Sequence, residues 1–366
     1  MDPQLAKRLF EKGAIFILLD VPVGTEFGID YNSWEVGPNF KGVKMIPPGI
    51  HFVYYSSVSN THDVAPRTGF FYNFQPSEMI IRKWDKYNED MLGDSVSAEE
   101  QERMESSKKE LDRYLGAYPY ESYKKWISLT SNLRPQFLDK LLPLNRKICS
   151  VTEFISEKST SQSRSEAKKS RGDVKTDDTP DEQRLPNMAI TPGTEIRFTL
   201  IPKQTYPVGA SPEEVTRYSM DHSFVLESLL KTGYEVEMTD ILGELQFAFI
   251  CFLIGQVYDA FEQWKKLVRL LCMCDEAMAK HPELYAQFIS TIHYQIQEIP
   301  EDFFVDIVSQ NNFLVSVLHT FFENLESSTT LPTLKEKGQK FRTHLQKRFN
   351  WDFTADPDED CPVVVE

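Results

Sequence analysis

The sequence predicts an α+β fold: a β-rich N-terminal domain with trailing helices, a flexible linker, and an all-α C-terminal domain. Three observations carry this reading. Short β-prone runs alternate with Gly and Pro breaks up to Trp84. Residues 156–190 have almost no apolar side chains. From Pro212 onward the apolar residues recur with helical period.

The opening MDPQLAKRLFEKG reads as a short helix, capped by Asp2, with Pro3 at its first position and Gly13 closing it. Ala14–Leu19, Thr25–Ile29, Ser33–Val36, Val43–Ile46, Ile50–Tyr55, Thr68–Phe74 and Glu78–Trp84 each suit a strand. Gly24, Gly37-Pro38, Gly42 and Pro47-Pro48-Gly49 supply turns between them. Strands this short and this closely spaced fit a sandwich or a barrel. Beyond Tyr87 the pattern turns helical. Ser97 caps a charged helix reaching about Leu115, with Glu100 as capping-box partner. Ser122–Leu129 and Pro135–Leu142 follow, so residues 1–155 form one domain.

Residues 156–190 are too polar to offset the entropy of ordering and predict a disordered linker. Glu195–Pro202 is β-prone and placed to return to the first domain's sheet. Ser211-Pro212-Glu213-Glu214 starts a helix, with acids at its positive dipole end. Thr239–Met278 reads as one long helix, apolar on every side near its middle and hence central to a bundle. Pro282–Ile299, Pro300–Ser309, Phe313–Leu325 and Leu334–Phe349 surround it, closing a helical domain over 191–350. Residues 351–366 form an acidic tail.

The net charge of −15 is uneven. Residues 1–155 carry −2, 156–190 balance, 191–350 carry −7 and 351–366 carry −6. An acidic field of this kind repels phosphate backbones and anionic membranes and favours basic protein surfaces. The apolar run Phe247–Ile254 is far shorter than a bilayer span of roughly 18 residues. Five scattered cysteines, three of them in apolar helical sequence, read as reduced core residues. The expectation is a soluble intracellular protein.

No chemistry-bearing constellation emerges. GxxxxGK[ST], GxGxxG, HExxH, GxSxG and CxxC are absent. Cys272 and Cys274 lie two apart on a predicted helix and point away from one another, which suits packing and not a metal. His51, inside a β-prone run, reads as a satisfied structural histidine. Asp356, Asp358 and Asp360 lack the Gly and Glu of a calcium loop. Glu235, Glu237 and Asp240, with His222 upstream, read as loop and cap residues. No cofactor and no metal is expected.

Two features suggest regulation and binding. Ser163, Ser165 and Ser170 stand beside basic residues in the linker and are candidate phosphorylation sites, each adding about −1.5 to −2 charge. In the tail, Trp351 and Phe353 are apolar anchors, and Val363, Val364 and Val365 form a β-branched run after an acidic spacer. The default for such an end is fraying. The functional reading is strand addition to a partner's sheet edge.

The stretch VPVGTEFGIDYNSWEVGPNFKGVKMIPPGIHFVYY closely resembles the opening domain of the Aar-two family of splicing factors, and the resemblance continues through the second half. It implies a superhelical, VHS-like C-terminal domain, which periodicity alone does not separate from an ordinary bundle. It also implies a non-enzymatic assembly chaperone of the U5 small nuclear ribonucleoprotein in the cytoplasm and nucleus. The partner would be the RNase H-like domain of the large spliceosomal scaffold protein, held until a helicase subunit displaces the chaperone. A tail that helps to clamp a partner is part of the same resemblance. The alternative reading is a trafficking adaptor whose VHS-like domain binds peptide motifs or membranes.

Overall fold

The computed structural model describes residues 3–58, 64–92, 96–152, 154–156, 188–234, 237–299, 313–328 and 332–353. Helix α1 (Pro3–Lys12) leads into two five-stranded sheets. The first runs β8 (Asp90–Leu92), β7 (Met79–Asp85), β1 (Ala14–Leu19), β4 (Gly42–Ile46), β9 (Leu115–Ala117). The second is fully antiparallel and runs β10 (Ile148–Cys149), β6 (Thr68–Phe74), β5 (Gly49–Ser56), β2 (Glu26–Ile29), β3 (Asn32–Glu35). All seven expected strands are present, displaced by at most a residue or so at their ends.

The period-2 alternation of side chains explains the layering. Along β1, Ala14, Phe16 and Leu18 enter a core shared with Phe27, Ile29, Val53, Tyr55 and Phe74 of the second sheet. Ile15 and Ile17 face the other way, packing with Ile81 and Leu115 beneath Met104 of α2 (Ala98–Ser106) and Leu111 of α3 (Lys108–Leu111). A strand covered on both faces has to be apolar throughout, which accounts for the sequence AIFILL. On β5 the same logic sends Val53 and Tyr55 between the sheets and Phe52 and Tyr54 toward the helices.

The helices that receive Phe52 and Tyr54 come from both halves of the chain. α4 (Tyr123–Thr130) packs on α8 (Asp240–Leu253) and α11 (Pro282–Glu298), and α5 (Pro135–Leu141) packs on α8. α6 (Pro212–Met220), α7 (Ser223–Thr232), α9 (Tyr258–Cys272), α10 (Asp275–Lys280), α12 (Phe313–Ser327) and α13 (Pro332–Phe349) complete the helices among the described residues. Ser211 caps α6 as expected and also forms a capping box with Glu214, whereas at Ser97 only the side chain accepting from Glu100 N–H is present. Every residue of α8 from Asp240 to Cys251 is buried, as its all-round apolarity predicts. It approaches the 131–134 loop so closely that a Cβ on Gly243 would lie 2.7 Å from the Asn132 carbonyl oxygen.

Three expectations are corrected. Residues 97–115 do not form one helix: the chain breaks at Ser107, where backbone ψ rises to 7°, and a 3-10 turn over Asp112–Tyr114 feeds β9. Glu195–Pro202 forms no strand. Its backbone donors are taken elsewhere, Arg197 N–H by the Leu141 carbonyl (2.8 Å) and Thr199 N–H by the Glu244 carboxylate (2.9 Å). Instead, β11 (Phe154–Ser156) and β12 (Met188–Ile190) pair antiparallel. Thr239–Met278 is three helices, α8, α9 and α10, because Gln256 adopts φ +59° and Val257 and Cys274 are extended. Asp2 and the expected helix at 300–309 lie outside the described residues.

The left-handed Gln256 supplies a stability prediction. A non-glycine residue there is strained by roughly 1–2 kcal/mol, and its side chain is exposed with nothing to lose. Gln256→Gly should raise stability by about 0.5–1 kcal/mol after the entropy cost of glycine, read as a higher urea midpoint with unchanged m.

Candidate interaction surface

The titratable groups that sequence reading weighed for chemistry are occupied with holding the fold. His51 is 1% exposed and lies between Asp30 and the Pro47 carbonyl, each 2.7 Å from one ring nitrogen. The carbonyl can only accept, so Nε2 carries a hydrogen. Asp30, 0% exposed, also accepts from the Phe52 N–H (3.0 Å) and the Tyr118 hydroxyl (2.6 Å). This Asp–His–Tyr cluster is sealed from solvent and offers no opening for a substrate.

The acidic cluster before α8 is likewise spoken for. Arg134 grips Asp240 through two nitrogens, at 2.9 and 2.6 Å, and reaches Glu237 at 3.2 Å. Glu235 lies outside the described residues. His222 stands at the N-cap of α7, where its backbone N–H bonds to the Met273 carbonyl. Burial pushes the thiols of Cys251, Cys272 and Cys274 up, so they stay protonated and unreactive. Among the described residues no group of His, Cys, Asp and Glu could hold a metal ion. No helix among them is long and apolar enough to cross a membrane.

Glu244 is the most buried acid of the helical region, at 0% exposed. Its carboxylate accepts from Thr199 N–H and Oγ1, Tyr234 Oη and Gln263 Nε2. It thereby ties the 194–201 segment to α8 and α9. Desolvation nonetheless outweighs these donors and raises its pKa above the usual 4.5. The folded protein therefore holds this proton more tightly than the unfolded chain. That contribution to stability is full below about pH 4.5 and is lost as pH rises through the elevated folded value. Gln offers an amide NH₂ to the two hydroxyls and keeps an acceptor for the two N–H donors. Glu244→Gln should flatten the decline in stability between pH 4.5 and pH 8, checked by urea midpoints across that range.

Surfaces supply the remaining candidates. The segment at 149–152 and 190–200 lies across α9, enclosing a cleft of about 520 Å³. Leu200 (89% exposed) and Val151 (56%) stand at its lining, with Asp259 and Glu262 from α9. Sequence reading missed this place. Its signal was the apolar alternation of Glu195–Pro202, which was assigned to a strand and in fact covers helices.

Of the two tail anchors, Phe353 is buried and Trp351 half-buried. Phe353 is 2% exposed, edge-on to Phe322 at 5.1 Å, and its carbonyl accepts from Arg342 (2.8 Å). Trp351 stacks on Phe349 at 5.0 Å. Both sit against the chain's own helices, and they fix where the tail departs. Val363, Val364, Val365, Asp356, Asp358, Asp360, Ser163, Ser165 and Ser170 lie outside the described residues.

The sequence that builds these sheets and helices has known relatives. Residues 12–143 match the family model described as the AAR2 N-terminal domain, and residues 198–354 match the AAR2 C-terminal repeat region. The chain belongs to the AAR2 family. The human Protein AAR2 homolog is 47% identical over 371 residues, covering all of this chain and 97% of the relative. The homolog of Caenorhabditis elegans is 36% identical over 367 residues, covering 97% of this chain and 99% of the relative. The A1 cistron-splicing factor AAR2 of Saccharomyces cerevisiae is 20% identical over 313 residues, covering 83% and 82%. Both AAR2 regions contribute to the shared core, Phe52 and Tyr54 from the first and Phe247 from the second. Much of the cleft lining, from Cys149 to Ile196, comes from residues between the two matched regions.

Proposed function

We propose that this chain is a non-enzymatic assembly factor in pre-mRNA splicing. It would bind the RNase H-like domain of the large scaffold protein in a U5 particle precursor until a helicase subunit displaces it. The observation that carries the reading is full-length membership of a family that includes a yeast protein named as a splicing factor. The confinement of Asp30, His51 and the core thiols to structural contacts agrees with binding in place of turnover. A net −7 over residues 191–350 and −6 over 351–366 suits a basic, RNA-receptive protein surface, which such a factor would shield from premature contact with RNA. Residence in both cytoplasm and nucleus, and tuning by phosphate at Ser163, Ser165 or Ser170, belong to the same proposal.

Affinity capture of the full chain from cell extract, with bound proteins identified, tests the reading. The large scaffold protein should be recovered without RNA dependence, and capture of vesicle-coat components in its place overturns the proposal. Charge shielding has its own test. Raising salt from about 50 to 150 mM should weaken binding of the scaffold domain, mainly through a slower on-rate. An unchanged affinity removes the electrostatic part and leaves the partner assignment standing.

A further inference from the structure

Helices α11 and α13 diverge along one side and leave a notch of about 310 Å³. α11 supplies Ser290, His293 and Tyr294, and α13 supplies Lys337, Lys340 and His344. Four of these six side chains carry or can take positive charge, within a region whose net charge is −7. Their surroundings provide little to balance them. Lys337 Nζ donates to the Ala286 carbonyl (2.6 Å) and to Ser290 Oγ (2.7 Å), neither a carboxylate, and desolvation lowers its pKa. His293 meets the Gln297 amide at 2.7 Å and lies 4.7 Å, ring to ring, from His344. Desolvation first, then His344 and Arg348, hold His293 below the usual 6.5. His344 Nε2 is buried and has no hydrogen-bond partner among the described residues. Among the described residues Lys340 alone of these meets an acid, the exposed Glu336 one turn away on its own helix (2.7 Å).

The chain's most concentrated acid run begins close by. Ring contacts lead from Phe353 to Phe322, from Phe322 to Phe341 and from Phe341 to His293, each under 6 Å. Phe353 therefore lies within roughly 18 Å of the notch. Asp356, Asp358, Glu359 and Asp360 follow it by three to seven residues, a reach of roughly 10–23 Å at ~3.3 Å per residue. We propose that the notch between α11 and α13 is a binding site for acidic peptide segments, and that its occupant is this chain's own Asp356–Asp360. Carboxylates bound there would accept charge-assisted hydrogen bonds from Lys337 and Lys340 and supply the acceptors that His293 and His344 lack. A tether this short places the segment at millimolar effective concentration, so weak contacts suffice. The consequence is that the free protein holds the base of its tail against α13.

Carbodiimide, which joins a carboxylate to an amine without a spacer, tests this on the full-length chain. Mass spectrometry should find monomer links from Lys337 or Lys340 to Asp356, Asp358, Glu359 or Asp360. Those links should vanish in the full-length D356N/D358N/E359Q/D360N variant. The Lys340–Glu336 contact is an internal control. If that link forms and no tail link does, or if tail links occur only between two molecules, the proposal is overturned. A second readout is the ring titration of His293 by NMR. Bound carboxylates stabilise imidazolium, so its pKa should fall in the neutralised variant, and an identical titration would contradict occupancy.

Discussion

Asp30→Ala should lower the unfolding free energy by about 3–5 kcal/mol, the cost typical of removing one partner from a buried ionic hydrogen-bonded pair. The substitution strands three groups at once. His51 loses the carboxylate at its Nδ1, the Phe52 N–H loses its acceptor, and the Tyr118 hydroxyl loses the oxygen 2.6 Å away. None of the three can turn to water, because His51 is 1% and Tyr118 2% exposed. Asp30 also takes φ +54° in the turn between β2 and β3, which Asp and Asn tolerate better than Ala. Asp30→Asn keeps that backbone preference and one acceptor oxygen, and should cost clearly less. Urea unfolding followed by tryptophan emission reports the site directly, since Trp126 stacks on His51 at 6.2 Å. Equal losses for the two variants would mean that the carboxylate charge carries the whole effect and that the turn and the side-chain volume add nothing.

This cluster also marks the limit of what the sequence discloses. Ala14–Leu19 and Thr68–Phe74 were legible residue for residue, because β-prone runs bounded by Gly and Pro are local signals. The structural role of His51 was legible as well. Its partners were not, since Asp30 and Tyr118 stand 21 and 67 positions away, and it takes the pairing of β5 with β2 and of β9 with β4, in different sheets, to bring them together. The break after α8 escaped for a different reason. Gly255-Gln256 sits inside an apolar run whose period continues unbroken, and a single left-handed residue leaves no periodic trace. Lys335, Lys340, Arg342, Lys347 and Arg348 all lie in one predicted helix, whereas the notch needs His293 from another. Leu334, Phe341 and Leu345 of α13 are buried and Phe349 is half-buried.

Phe247→Ala should remove about 3–5 kcal/mol, the range for deleting a fully buried phenyl ring. The ring is 0% exposed and lies between Phe71 of β6, at 5.2 Å, and Phe198 of the 194–201 segment, at 6.0 Å. A cavity there cannot be closed by one neighbour, because the contacts come from a sheet, a loop and a helix that are each held elsewhere. Arg67 crosses the same seam: it donates to the Ile254 carbonyl at the end of α8 (2.8 Å), pairs with Glu26 (3.0 Å) and lies 4.4 Å over the Tyr54 ring. Burial pushes the Tyr54 hydroxyl up to about 12 despite that cation, so the ring remains a neutral packing surface at physiological pH. With one apolar cluster holding Phe52, Tyr54 and Phe71 together with α8, sheets and helices should unfold as a unit. Helical circular dichroism and the emission of Trp34 and Trp84 should therefore shift to lower urea together in Phe247→Ala. A shift confined to the helical signal would show that the seam carries packing without cooperativity.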